Sequence, residues 1–148
     1  MDSLVSIIIP HWNGIDVLSE CLDSLKKTVY PNFEIIVVDN ASTDGSGDWI
    51  KDHYPQIKLV NNDQNYGYSG GCNRGVPHAN GDLLVFLNND TVQEKYWLQN
   101  LVSFINSHPN CAAVQPKILN YYERNRFDYA GGSGGHMDVL CYPFARGR

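Results

Sequence analysis

The sequence predicts an α/β domain built on an open, mostly parallel sheet with helices on both faces. Three observations carry that expectation. Short β-branched runs without polar alternation, such as "FEIIVV" from Phe33 to Val38, have the composition of strands covered on both faces. Stretches with apolar residues at helical spacing lie between these runs. The two signals alternate from Leu4 to Ile118, the pattern of parallel strands joined by helical crossovers.

In order, "LVSIII" (Leu4 to Ile9) is the first strand, and Val17, Leu18, Cys21, Leu22 and Leu25 share one face of the helix after it. "FEIIVV" is the second strand, with a short helix following from about Gly45 to Tyr54. "IKLV" (Ile57 to Val60) is the third, and a helix from Ser69 to Ala79 sits behind a glycine-rich entry. "LLVFL" (Leu83 to Leu87) is the fourth strand. Leu98, Leu101, Val102 and Ile105 recur at i, i+3, i+4 and i+7 as one apolar helix face, and "CAAVQPKI" (Cys111 to Ile118) reads as a fifth strand. Beyond Lys117 no amphipathic helix or long apolar run is visible, and "GGSGG" (Gly131 to Gly135) reads as a flexible loop or linker.

Bulk properties narrow the function. A chain of 148 residues is one domain in size, long enough to bury roughly two-thirds of its unfolded surface. Its 43% hydrophobic and 18% charged residues are those of a globular protein. A net charge of −5 argues against nucleic acid as a partner. An anionic small molecule stays open where a metal ion or helix N-terminus supplies local positive charge. Cys21, Cys72, Cys111 and Cys141 form no Cys-x-x-Cys pair and read as isolated thiols in a reducing compartment. The opening "MDSLVSIIIPHWNG" lacks a basic region, and its apolar run is too short for a signal peptide or a membrane span, so a cytoplasmic location without a transmembrane segment is expected.

In open α/β sheets ligands bind beyond the carboxyl ends of the strands. Here the first strand is followed by "PHWNG", the second by "DNASTDGS", the third by "NNDQNYG" and the fourth by "NND". Each strand end delivers Asn or Asp to the same sheet edge. Taken singly, each segment has a plain structural explanation: "DNASTDGS" suits a helix N-cap, Asp90 could cap the next helix, and His11 and Trp12 could be packing residues. The glycines of "NYGYSGGCNRG" match neither a P-loop nor the dinucleotide fingerprint. Capping, however, does not require amides after every strand. The joint pattern suits a nucleoside diphosphate: Asn or Asp to pair with a base, and a carboxylate to hold a hard divalent cation on the pyrophosphate. Asp90 is the candidate metal ligand, with Asn88 and Asn89 placed to meet ribose or sugar hydroxyls.

"VSIIIPHWNG", "CLDSL", "YPNFEIIVVDNASTDGS", "NYGYSGGCNRGV", "ANGDLLVFLNNDT" and "WLQNLV", occurring in this order, resemble the N-terminal half of a family 2 glycosyltransferase. The resemblance runs from about Leu4 to Lys117. It implies the Rossmann-like A-type nucleotide-diphospho-sugar transferase fold, and the "WNG", "VDN" and "NND" variants are most similar to bacterial enzymes that add rhamnose or related sugars to cell-surface polysaccharides. Further roles follow from the resemblance alone. Pro10, His11, Trp12 and Asn13 would lie along the nucleotide. Asp39 and Asn40 stand where the family has an acidic pair facing the pyrimidine, one carboxylate having become an amide. Asn65, Gly67 and Asn73 would be near the donor phosphates or base. Asn88, Asn89 and Asp90 stand in place of the family's Asp-x-Asp metal motif, keeping only the last carboxylate.

The implied reaction moves a sugar from a UDP- or dTDP-sugar to a hydroxyl of a glycan, polysaccharide or lipid-linked acceptor, with Mg²⁺ or Mn²⁺ and with inversion. The implied organisation is a donor-binding domain over residues 1–118 and the start of an acceptor-side region over 119–148. No acceptor-side catalytic base is recognisable, so the chain is expected to be a fragment of a longer enzyme, located in the cytoplasm or at the inner face of the membrane. Apolar surface left uncovered in such a fragment predicts self-association. The alternatives are a non-catalytic nucleotide-binding module of the same fold, or a nucleotidyltransferase.

Overall fold

Seven consecutive buried residues, VSIIIPH, form β1 (Val5–His11), a strand with neighbours on both sides. The structure, a computed structural model, describes residues 2–128, 135–137, 139 and 143–145. It divides into two units, Met1–Tyr96 and Trp97–Arg148.

The first unit holds β1, α1 (Ile15–Leu25), β2 (Phe33–Asp39), α2 (Ser46–His53), β3 (Lys58–Asn61), α3 (Gly67–Gly75), a single 3₁₀ turn (Val76–His78) and β4 (Leu83–Phe86). All four strands are parallel, in the order β3-β2-β1-β4. The sequence expectation of an open parallel sheet therefore holds. Its unalternated runs are explained by burial on both faces, each wholly buried Ile, Val or Leu contributing about 1.5–3 kcal/mol.

Successive residues of a strand face opposite sides, so the two faces can be read from parity. Ile8, Ile36 and Val38 form a buried cluster against which Val60 and Ala79 pack, and α3 covers it. That helix lies very close to the sheet. A Cβ on Gly75 would come within 2.5 Å of Ile8 Cγ2, and one on Gly71 within 2.9 Å of Pro10 Cβ. The glycines are four residues apart, so both fall on the same side of α3 and let its backbone rest on the strands. On the other face, Leu22 and Leu25 of α1 line a shallow groove with Phe33 and Ile35 of β2.

Register places the carboxyl ends level. His11 is paired with Asp39, and Asp39 with Asn61, so these three residues lie side by side on one face. Backbone bonds carry the alignment past the strands: the Asn40 N–H donates to the His11 carbonyl and the Asn62 N–H to the Asp39 carbonyl, both at 2.8 Å. At the opposite end, Glu34 accepts from the Ser6 hydroxyl at 2.6 Å and from the Asn80 backbone and side chain at 2.6 and 3.0 Å, tying β1, β2 and the entry to β4 together.

The second unit contains α4 (Trp97–Ser107), with Leu98 and Val102 buried, and an antiparallel pair, β5 (Gly135–Met137) and β6 (Pro143–Ala145). Leu119 and Phe127 form an isolated antiparallel bridge. The expected fifth strand, Cys111 to Ile118, is not formed. Its residues belong to no ladder, and most are exposed. Strand formation requires a partner for the backbone, and β-branched or apolar composition does not provide one; Pro116 also lacks a donor. Of the expected GGSGG loop, residues 131–134 lie outside the described residues and Gly135 opens β5. Among the described residues no helix is long and apolar enough to cross a membrane.

Candidate functional site

The loops beyond β1, β2, β3 and β4 converge at the level edge, and hydrogen bonds bind them to one another. His11, the last residue of β1, is 1% exposed. Its Nε2 is 2.9 Å from the Ser46 hydroxyl at the start of α2, and its Nδ1 is 3.0 Å from Asn89 Nδ2. Burial pushes the imidazole below its ordinary pKa, against the opposing effect of the Asp39 and Asp44 charges. Asn89 lies in the turn three residues beyond β4, the strand paired with β1, and reaches His11 from there.

The loop after β2 is held by its own polar groups. Asp39, 6% exposed, accepts the Ser42 N–H at 3.1 Å. Asp44 accepts the Ser46 N–H at 3.0 Å and the Ser46 hydroxyl, and its other oxygen accepts the Gly14 N–H at 2.7 Å. Asn13, with a left-handed φ of 54°, donates its N–H to the Ser42 hydroxyl at 2.9 Å and accepts the Thr43 N–H on its side chain at 2.8 Å. Asn tolerates that conformation far better than a β-branched residue would.

Asn40 is 3% exposed, and both ends of its amide are engaged. It accepts from Asn62 Nδ2 at 2.8 Å and donates to the Gly67 carbonyl at 3.2 Å. Gly67, the first residue of α3, has a φ of 68° and gives its N–H to the Asn65 side chain at 2.8 Å. Pro10 is buried beneath Gly71. Trp12, just beyond β1, is a large exposed side chain, 56% accessible. Asn73 is exposed on α3, two residues from each of the glycines that touch the sheet, and no hydrogen bond joins it to the other candidates.

After β4, the Asn88 carbonyl accepts the Thr91 hydroxyl at 2.8 Å and faces the buried Cys21 thiol, which burial pushes up to about 11. A thiol in that range is an inert packing group at neutral pH. The Asn88 side chain and the Asp90 carboxylate are exposed, and Asp90 makes no hydrogen bond or ion pair among the described residues. No group of three or more His, Cys, Asp or Glu is placed to share a metal among the described residues. One open carboxylate fits a hard cation that takes its other oxygens from a diphosphate and water, the usual manner for Mg²⁺.

The sequence brought forward His11, Asp39, Asn40, Asn89 and Asp90, and the structure gathers them at one edge. It did not bring forward Asp44, Ser46 or Asn62. Asp44 and Ser46 read locally as a helix cap, although Gly45 stands at the N-cap of α2; their bonds to Gly14 and His11 join segments about thirty residues apart or more.

A level edge of parallel strands lined by amides and carboxylates is where open α/β proteins hold their ligands. The chain belongs to glycosyl transferase family 2, whose profile matches residues 6–137. It is 34% identical to the O-antigen biosynthesis protein RfbC of Myxococcus xanthus over 96% of this chain and 11% of the relative. It is 31% identical to the glycosyltransferase AglE of Haloferax volcanii over 68% of this chain and 35% of the relative. Among solved structures, TarS of S. aureus superposes with a TM-score of 0.65 at 25% identity, covering 79% of this chain and 40% of that one. The mannosyltransferase PcManGT of Pyrobaculum calidifontis, in complex with GDP-Man and Mn²⁺, gives 0.65 at 26% identity over 80% and 34%. The chain thus spans less than half the length of these relatives.

Proposed function

We propose that the chain is the donor-binding part of an inverting glycosyltransferase that takes a UDP- or dTDP-sugar and glycosylates a hydroxyl of a glycan or lipid-linked polysaccharide precursor. The observation that carries the reading is the level edge, where His11, Asp39, the Asn40–Asn62 pair, Asn89 and Asp90 meet while the Asp90 carboxylate is left open. Neighbouring structures support it in kind: PcManGT holds GDP-Man with Mn²⁺, and TarS has been solved with UDP and with UDP-GlcNAc.

In this reading Asp39 faces the base, and Asn40, Asn13 and Asn65, whose amides already bond the loops, shape the site around it. Trp12 offers an exposed ring to the nucleotide beside Pro10 and His11. Gly67 and Asn73 serve the phosphate side, and Asn88 the sugar hydroxyls. Asp90 holds Mg²⁺ or Mn²⁺, which when bound supplies Lewis-acid stabilisation of the diphosphate. In the transfer itself the acceptor oxygen bonds to the anomeric carbon, the bond from that carbon to the diphosphate breaks with its electrons, and the hydroxyl proton passes to a general base. Asp128 is exposed and Asp138 lies outside the described residues; neither is assigned that task. Residues 1–118 are taken as the donor region and 119–148 as the beginning of the acceptor side, in a protein working in the cytoplasm or at the inner membrane face.

Release of nucleoside diphosphate from UDP- or dTDP-sugars, followed with and without a glycan acceptor, tests the reaction. Acceptor-dependent release is expected from a longer protein that contains this chain. Its absence with every donor would leave only a binding module.

A further inference from the structure

His11 hydrogen-bonds both to Ser46 after β2 and to Asn89 after β4. Its proton can be located by following the hydrogen bonds outward from Asp44. The Ser46 hydroxyl donates to the Asp44 carboxylate, which has no proton to give at neutral pH, so the Ser46 oxygen is left to accept from His11. Nε2 therefore carries the ring proton. In a neutral imidazole Nδ1 is then bare, and the Asn89 amide at 3.0 Å donates to it. The other tautomer would set Nδ1–H against the Asn89 NH₂ group and deprive the Ser46 oxygen of its donor. The series runs Asn89 to His11 to Ser46 to Asp44, with the far oxygen of Asp44 gripping the Gly14 N–H at 2.7 Å. It links the loops after β1, β2 and β4 through residues that are 1% exposed at His11 and 0% at Ser46.

We propose that His11, with its proton on Nε2, is a positioning residue that fixes Asn89, and through it the adjoining Asp90 carboxylate, relative to the base-side loop. This inference rests on the donor-site reading above. It assigns His11 no contact with substrate. Its role is to hold the metal-binding end of the site at a set distance from the base-binding end, so that one nucleoside diphosphate can engage both. Orientation of a ligand by a second set of hydrogen bonds is worth an appreciable share of metal affinity elsewhere.

The two nitrogens can be separated by substitution. Asn at position 11 keeps an acceptor near the place of Nδ1 and loses the reach to Ser46; Gln keeps a donor near the place of Nε2 and loses the acceptor for Asn89. The readout is the ratio of UDP dissociation constants in EDTA and in Mn²⁺. His11→Asn, which breaks the series at Ser46, and His11→Gln and Asn89→Ala, which break it at Asn89, should each lower it by about fivefold, the effect of one ordinary hydrogen bond. The double variant His11→Gln/Asn89→Ala should fall no further than either single one. An unchanged ratio in Asn89→Ala, or in either ring variant, would overturn the proposal while leaving metal-dependent binding by the wild type intact. Failure of the wild type to bind UDP with Mn²⁺ would instead overturn the donor-site reading and the coupling together. Should the ring substitutions unfold the chain, the wild-type imidazole still decides. Long-range ¹H–¹⁵N correlation is expected to show the proton on Nε2, and Asn89→Ala to move the Nδ1 resonance; a proton on Nδ1, or an Nδ1 resonance indifferent to Asn89, overturns the assignment.

Discussion

Asn40→Asp exchanges one buried amide nitrogen for oxygen, and the structure fixes what that exchange should cost. The Asn40 nitrogen donates to the Gly67 carbonyl at 3.2 Å, while its oxygen accepts from Asn62 at 2.8 Å, at a position 3% exposed. An ionised carboxylate keeps the Asn62 bond but faces the carbonyl with a second acceptor. Loss of the donor alone is worth about 1 kcal/mol. The carboxylate can avoid the charge by holding its proton, at about 1.4 kcal/mol for each unit by which its pKa is raised. A rise of about two units, in which the lost donor is already contained, gives a total near 3 kcal/mol at pH 7. The sign follows from that direction. The folded-state pKa lies above the unfolded value of about 3.9, so the penalty is smallest below pH 4, where the protonated acid can still donate to Gly67. It grows as pH rises and levels off above the folded pKa. Urea denaturation of wild type and variant at matched pH from 4 to 8 measures it. Asn40→Ala should lose stability by an amount independent of pH. A flat difference for Asn40→Asp, or one below about 0.5 kcal/mol at pH 7, would refute the reasoning and with it the structural account of why an amide stands here.

Gly75→Ala places a methyl 2.5 Å from Ile8 Cγ2 and 3.0 Å from Val38 Cγ2; overpacking of about 1–3 kcal/mol should outweigh the helix-propensity gain of about 1 kcal/mol, lowering the urea midpoint. Ser69→Ala, exposed on the same helix, should be neutral or slightly stabilising in the same assay. Glu34 is pushed up by burial, but bonds from Ser6 and Asn80 outweigh this and hold its pKa below the ordinary value. Its contribution, below about 1 kcal/mol at so accessible a site, is present above the unfolded pKa near 4.3 and is lost as pH falls through the folded value. Glu34→Gln should remove that part of the acid dependence. Leu84 and Phe86, 41% and 47% exposed, share one face of β4, so self-association is expected. Light scattering over a concentration series should show a rising mass that falls back in Phe86→Lys, and a constant monomer mass would contradict it.

The sequence carried the sheet well because burial on both faces leaves an unmistakable mark on β1 and β2. It carried the gathering of Asn and Asp at the carboxyl edge for a related reason, since each apolar run is followed by one or more of them. Other features leave no local trace. Gly71 and Gly75 act through the absence of a side chain, and only the tertiary packing of α3 shows what that absence admits. Cys111 to Ile118 has strand-like composition, yet strand formation depends on a partner that composition does not name. Asn40 looks like a weakened acidic pair in sequence; its engagement with Asn62 and Gly67 is visible only once α3 is in place. The bond between His11 and Ser46 spans 35 positions and breaks no local rule that would announce it.

The central claim is that this edge binds a nucleoside diphosphate through a metal held by Asp90. Calorimetric titration of UDP and dTDP into the chain, with Mn²⁺, with EDTA, and with Asp90→Ala, tests it most directly. Saturable binding is expected that depends on the metal and is lost, or falls to the EDTA level, in the variant. Binding that is indifferent to EDTA and to Asp90→Ala, or no binding by well-folded protein, would contradict it.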